Sequence, residues 1–288
     1  MDIRKAHFSG TWYPGTAGAC ENEIRQFLQQ GQKEQSSKDA ADSEPRGGIV
    51  PHAGWYFSGS IACNIIHALS RGQQPDTVIL FGMHLHPDSP PVMMPRGAWE
   101  TPFGLLPVAA ELAAELMPQF SFRKESSQKF VPDNTVELQL PFIKYFFPEA
   151  DILAIGVPPS ETALKIAAAL AGISAEQHLN IRVIGSTDLT HYGANYGFSP
   201  KGTGEKALEW VKEENDRKFI DTVISMNPSE IIREGLQNRN ACCAGAAAAA
   251  VATAKSLGAS RARSLFYASS HDKHPGDSFV GYAGILLS

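Results

Sequence analysis

The sequence predicts a single α/β domain spanning 1–288, with a central, mostly parallel sheet and helices on both faces. Gly48-Ile49-Val50, Thr77-Val78-Ile79-Leu80-Phe81 and Ile152-Leu153-Ala154-Ile155-Gly156-Val157 are apolar throughout, as strands buried on both faces are. Segments of helical periodicity separate them, which is the grammar of strand–helix–strand units. A chain of 288 residues with 43% hydrophobic content can bury one large core.

In chain order, 17–32 reads as an amphipathic helix with Ile24, Phe27 and Leu28 on one stripe. The Lys-, Ser-, Asp- and Glu-rich stretch 31–47 reads as an exposed polar loop within the domain, because a buried-looking strand follows at once. Helical spacing resumes near Ser58 with Ile61, Ile65, Ile66 and Leu69, then the strand 77–81 follows. Further strands are expected at 152–157, 181–184, 264–267 and 279–287, and helices at 107–118, 134–147, 161–173, 205–225, 228–235 and 241–257. The last strand follows Tyr267 after a short loop, so the sheet is expected to have an antiparallel edge. The alanine run 244–252 reads as a closely packed internal helix, since Ala costs little to order and lets backbones approach.

With 25 Lys+Arg against 30 Asp+Glu, the formal net charge is −5, and the cations are scattered. Neither nucleic acid nor an anionic membrane is expected as a partner. No apolar run approaches a membrane span and the first residues lack a signal-peptide core, so a cytoplasmic protein is expected. The four cysteines, 20, 63, 242 and 243, lack the spacing of a disulfide framework, which leaves a thiol free for chemistry.

Five segments turn polar where an apolar run stops: Pro51-His52-Ala53-Gly54, His84-Leu85-His86, Ser186-Thr187-Asp188-Leu189-Thr190-His191, Cys242-Cys243 and Ser269-Ser270-His271-Asp272. Any one is what an ordinary loop contains. Their repetition at strand ends points to a metal or acid/base site built from several loops, where open α/β sheets place their chemistry. His52 falls at the end of the first buried strand. His84 and His86 follow the second and share one side if the backbone stays extended, one as ligand and the other as support. Cys242 and Cys243 open the alanine-rich helix, where the helix dipole favours thiolate, and one of them is expected to be buried as a small apolar residue. Asp188 and His191, three apart in a loop, suit a carboxylate that orients an imidazole or a pair that moves protons. Asp133 and Asn134 read as helix caps, while Glu137 could also face the site. Dinucleotide and phosphate-loop glycine motifs and a Gly-x-Ser-x-Gly elbow are absent, which argues against nucleotide chemistry and serine hydrolysis.

Taken in order, Gly10-Thr11-Trp12-Tyr13-Pro14, Pro51-His52-Ala53-Gly54, the His84 segment, Asn134-Thr135-Val136-Glu137-Leu138-Gln139-Leu140-Pro141, Ser186-Thr187-Asp188-Leu189-Thr190-His191-Tyr192 and Cys243 resemble the Memo family, whose bacterial and archaeal members are called AmmeMemoRadiSam system protein B. The resemblance spans nearly the whole chain. It implies a fold similar to class III extradiol dioxygenases of the LigB type and one metal ion, copper, iron or zinc, held by two histidines and a cysteine. Carried over by motif, the ligands become His52, His84 and Cys243, with Asp188 and His191 lining the same pocket in catalytic roles. Leu85 stands between two histidines that are usually adjacent in the family, which keeps His86 open as the ligand. The family's cysteine is usually followed by glycine, which keeps Cys242 open, and Asn134 stands where a histidine is frequent. The resemblance implies a metal-dependent oxidoreductase or dioxygenase-like enzyme on a small substrate. The alternative is a non-catalytic redox-metal or peptide-binding protein. Radical SAM and AMMECR-type proteins are the partners it implies.

Overall fold

The computed structural model describes residues 2–34 and 44–288. Its elements run β1 (Ile3–Arg4), α1 (Ala17–Glu34), β2 (Gly47–Val50), α2 (Ser60–Leu69), β3 (Thr77–Gly82), β4 (Val92–Met93), β5 (Ala98–Thr101), β6 (Gly104–Pro107), α3 (Ala110–Leu116), β7 (Arg123–Lys124), α4 (Asn134–Glu137) and α5 (Leu140–Phe146). There follow β8 (Asp151–Gly156), α6 (Glu161–Glu176), β9 (Ile181–Ser186), β10 (His191–Tyr192), α7 (Glu205–Trp210), α8 (Asp216–Ile224), α9 (Pro228–Asn238), α10 (Ala244–Ser256), β11 (Ala262–Ser269) and β12 (Phe279–Leu287).

The main sheet runs β10-β12-β2-β9-β3-β8-β4-β7, with β11 paired to β12. Its centre, β2-β9-β3-β8, is parallel. The antiparallel part expected near the C-terminus is there: β12 runs against both β11 and β2. Ile49, Val50, Val78 to Phe81, Ile152, Leu153, Val183 and Ile184 are almost wholly buried, as continuous apolar strands require. Helices α2 and α10 both pack against β2, and α10 also against β9. The alanine-rich α10 is interior as expected: Ala246 to Ala250 are fully buried, and α6 and α9 pack closely on it.

Several boundaries differ from expectation for local reasons. The helix expected over 134–147 is two helices, because Pro141 sits in the first turn of the second, where a missing N–H costs nothing, and cannot continue a first. The one expected over 205–225 is helical from Glu205 to Ile224, with a π-helical segment, Val211–Asn215, between α7 and α8. The one expected from 107 begins only at Ala110, because Gly104–Pro107 pairs with Ala98–Thr101. That pairing, with β1 alongside β5, makes a separate three-stranded sheet that the apolar pattern does not announce. Of the polar loop expected over 31–47, residues 31–34 belong to α1 and Gly47 to β2, while 35–43 lie outside the described residues.

Parallel central strands all end on one edge of the sheet. Val50, Gly82 and Ser186 are three such ends, so the loops beginning at Pro51, Met83 and Thr187 meet there.

Candidate metal centre

His52 follows β2 by two residues and is buried, and its ring has two fixed neighbours. Nδ1 lies 3.0 Å from Ser186 Oγ at the end of β9, and Nε2 lies 3.3 Å from Cys242 Sγ. His84 meets it edge to face, ring centroids 5.0 Å apart. His86 does not join them; it is exposed and its Nδ1 lies 3.5 Å from Asp88. Cys242 and Cys243 immediately precede α10, with sulfurs 3.8 Å apart. One donor atom from each of His52, His84, Cys242 and Cys243 lies within 4.8 Å of the others. Around a tetrahedral ion with bonds of about 2.0–2.3 Å, neighbouring donors sit roughly 3.3–3.8 Å apart. The spacing of His52 Nε2 and Cys242 Sγ matches that, so the residues fit the metal that the resemblance implies.

The two cysteines are not equivalent. The Cys242 sulfur accepts the Asp188 N–H at 3.3 Å and faces both imidazoles, whereas the buried Cys243 sulfur lies 3.6 Å from the Met83 carbonyl. Burial works against the Cys242 thiolate, yet hydrogen bonding with Cys243 and the nearness of His52 and His84 hold it well below the usual thiol range. Burial, then the neighbouring Cys242, pushes Cys243 well above that range. Burial alone would lower the His52 imidazole, but Asp188 and Cys242 outweigh it and push it up to about 9. His84 moves the same way, with Cys242 again prevailing over burial. These neighbours favour the thiolate of Cys242, the form that binds soft and borderline metals.

Asp188 sits beneath this group. Its Oδ1 accepts the His52 N–H at 2.7 Å, and its Oδ2 lies 3.9 Å from His52 Nε2. Its carbonyl accepts the Cys242 N–H at 3.2 Å, so one residue fixes the backbones of two donors. Burial raises its pKa, and His52 opposes the rise. His191 lines the same cleft; its Nδ1 lies 3.1 Å from the Leu189 carbonyl, and like His52 it opposes the rise at Asp188. The carboxylate expected to orient His191 also holds the His52 backbone.

A cleft of about 620 Å³ opens over His52 and His84, with Asp188 and His191 on its wall. Trp12, Tyr56, Tyr196 and His274 also line it, and the sequence reading assigned none of them to the site. Trp12 and Tyr56 lie within or beside segments already singled out; Tyr196 and His274 arrive through loops with no local signal. Of Ser269-Ser270-His271-Asp272, Ser270 reaches the cleft, while Ser269 and Asp272 close a capping box and His271 rests against Phe279. Asp133 caps α4 as expected, through its contact with the Thr135 N–H. Glu137 faces away from the metal group: it accepts the His7 and Phe8 N–H groups, each at 2.7 Å, and the Tyr13 hydroxyl at 3.1 Å, which anchors the loop bearing Trp12.

Residues 4–286 match the family model described as Memo-like protein. The chain belongs to that family. A MEMO1 family protein of Methanosarcina mazei is 30% identical over 294 residues, covering 100% of both chains. Another, from Pyrococcus furiosus, is 29% identical over 296 residues and covers 99% of each. Among solved structures, an uncharacterized Escherichia coli K12 protein, JW3007, superposes with a TM-score of 0.52 over 84% of this chain and 99% of that one at 10% identity. That likeness concerns the fold alone. For this Memo-family chain it agrees with a single α/β domain. No helix among the described residues is long and apolar enough to cross a membrane.

Proposed function

We propose that this Memo-family protein is a metal-dependent oxidoreductase that holds one copper, iron or zinc ion through His52, His84 and Cys242 and receives a small substrate in the cleft above them. Cys242 replaces Cys243 as the sulfur ligand in this reading, because it faces both imidazoles and its neighbours favour its thiolate. The bound ion would supply Lewis acidity or one-electron chemistry at the floor of the cleft. Asp188 holds the His52 and Cys242 backbones in place. His191, on the cleft wall with one ring nitrogen on the Leu189 carbonyl, presents the other for proton transfer to a bound ligand.

The observation that carries the enzyme reading is the substrate-sized opening that reaches His52 and His84. A second reading has its own observation: four donors within 4.8 Å would close a tetrahedral shell, as a metal store requires. Radical SAM and AMMECR-type proteins belong to this proposal as partners of the metal-loaded form. Anaerobic loading with each metal, followed by oxygen-uptake assays with catechols and small hydroxy compounds, tests the choice. Substrate-dependent uptake by the loaded protein supports an enzyme; tight stoichiometric binding with no uptake on any compound supports the store.

A further inference from the structure

His84 enters the site through an unusual piece of backbone. Met83, just before it, is a buried non-glycine residue with φ of 69°, in the left-handed region that side chains other than glycine rarely adopt. Such a conformation persists only where its surroundings impose it, and it clusters at functional sites. Here it is imposed from three sides. The Met83 N–H donates to Thr135 Oγ at 2.7 Å, and the Thr135 hydroxyl in turn donates to the Asp133 carboxylate. A Cβ on Gly82 would lie 2.4 Å from that same hydroxyl oxygen, so glycine there admits Thr135 to the strand end. A Cβ on Gly156, the partner of Gly82 across β3 and β8, would lie 2.4 Å from Met83 Sδ.

The remaining oxygen of Asp133 lies 3.9 Å from His84 Nδ1. The pinned backbone and the facing carboxylate thus both act on one imidazole. The same short helix reaches the other histidine, since Asn134 Nδ2 donates to the His52 carbonyl at 3.0 Å. We propose that Thr135 and Asp133 are positioning residues for His84: Thr135 pins the left-handed turn that delivers the ring, and Asp133 holds its orientation. This rests on the reading of His84 as a ligand. It goes beyond that reading by placing control of the ligand's geometry in the segment 133–135, which carries no ligand itself.

The test uses the full chain, wild type and Thr135→Val, Thr135→Ser and Asp133→Asn, each crystallised without metal and titrated anaerobically with Co(II) against a chelator. Thr135→Val keeps the shape and removes the pin. It is expected to move the His84 ring from its 5.0 Å contact with His52, to alter the Co(II) d–d spectrum and to weaken Co(II) binding about ten- to hundredfold, as loss of ligand support does. Thr135→Ser should restore all three. Asn remains a good cap, so Asp133→Asn should keep the apparent melting temperature while weakening Co(II) binding. It also provides the decision if Thr135→Val fails to fold. Unchanged ring position and Co(II) spectrum in Thr135→Val, with only a lower melting temperature, would overturn the proposal, as would an unaltered Co(II) affinity in Asp133→Asn. Failure of wild type to take Co(II) would contradict the metal reading instead, and the metal-free ring positions would then decide the pinning by themselves.

Discussion

Cys242 and Cys243 show how much turns on one residue of offset. A helical reading puts neighbours about 100° apart, so that only one can face a pocket. Both cysteines instead precede the helix, with Cys243 as its N-cap at φ −130°, and the non-helical backbone is what turns Cys242 toward His52. Sequence periodicity carries no signal for that. Replacing the partner of a metal ligand costs roughly ten- to hundredfold in affinity, so Cys242→Ser is expected to lose more than about a hundredfold and Cys243→Ser much less. Competition titration with Cu(I) or Zn(II) reads the difference; equal losses would restore Cys243 as a ligand. His191 poses a separate question. His191→Ala should leave metal stoichiometry near wild type and lower turnover on any substrate found by about 10²–10⁴-fold, the usual contribution of a positioned acid or base. Loss of bound metal in that variant would make His191 a ligand.

Among elements, the loop 187–191 depends on a buried carboxylate one layer behind the site. Asp216, at the start of α8, accepts the Thr190 N–H at 3.0 Å and its hydroxyl at 2.5 Å, and the Tyr267 hydroxyl at 2.8 Å. Gly281 lies against it so closely that a Cβ would stand 1.9 Å from Asp216 Oδ2. Burial outweighs these donors and pushes the carboxyl up from 3.8 to about 7. With the folded pKa above the unfolded one, the neutral carboxyl contributes stability at low pH, and that contribution is lost as pH rises from about 4 through 7. A rise of about three units corresponds to about 4 kcal/mol at 1.36 kcal/mol per unit. Asp216→Asn keeps an acceptor for Thr190 and cannot ionise. Urea unfolding of the two proteins should therefore show the wild type losing stability relative to the variant as pH rises from about 4 to about 7. A difference independent of pH would mean that Asp216 ionises as readily in the folded chain as in the unfolded one. The element boundaries carry a related lesson. The long buried strands are legible because each carries a run of apolar residues, whereas β1, β5 and β6 hold two to four residues each, too few for a period to appear. The break at Pro141 was written in the sequence, but the apolar stripe around it reads through the gap.

For the molecule as a whole, the edge that gathers the site followed from topology, since parallel strands must end together. That is why His52, the His84 segment and Asp188 fall in one region by their positions after apolar strands, whereas the cysteine pair arrives at the start of α10. What could not be read was the fine assignment. The three-residue spacing of Asp188 and His191 suits a turn, whereas the chain enters β10 at His191 and Nδ1 faces the Leu189 carbonyl. His84 was one of two candidates until the left-handed residue at Met83 set the direction of the chain. The cleft walls at Tyr196 and His274 come from distant segments that meet only in three dimensions. Family membership supports the architecture that holds all of these, while the chemistry rests on the donor group itself. The most direct measurement is metal-edge X-ray absorption on the anaerobically purified protein, with its metal content determined on the same sample. The expected result is one ion per chain with two imidazole nitrogens at about 2.0–2.1 Å and thiolate sulfur at about 2.3 Å, the sulfur lost in Cys242→Ser. An ion surrounded by oxygen and nitrogen alone, or stoichiometric sulfur coordination that survives Cys242→Ser unchanged, would contradict it.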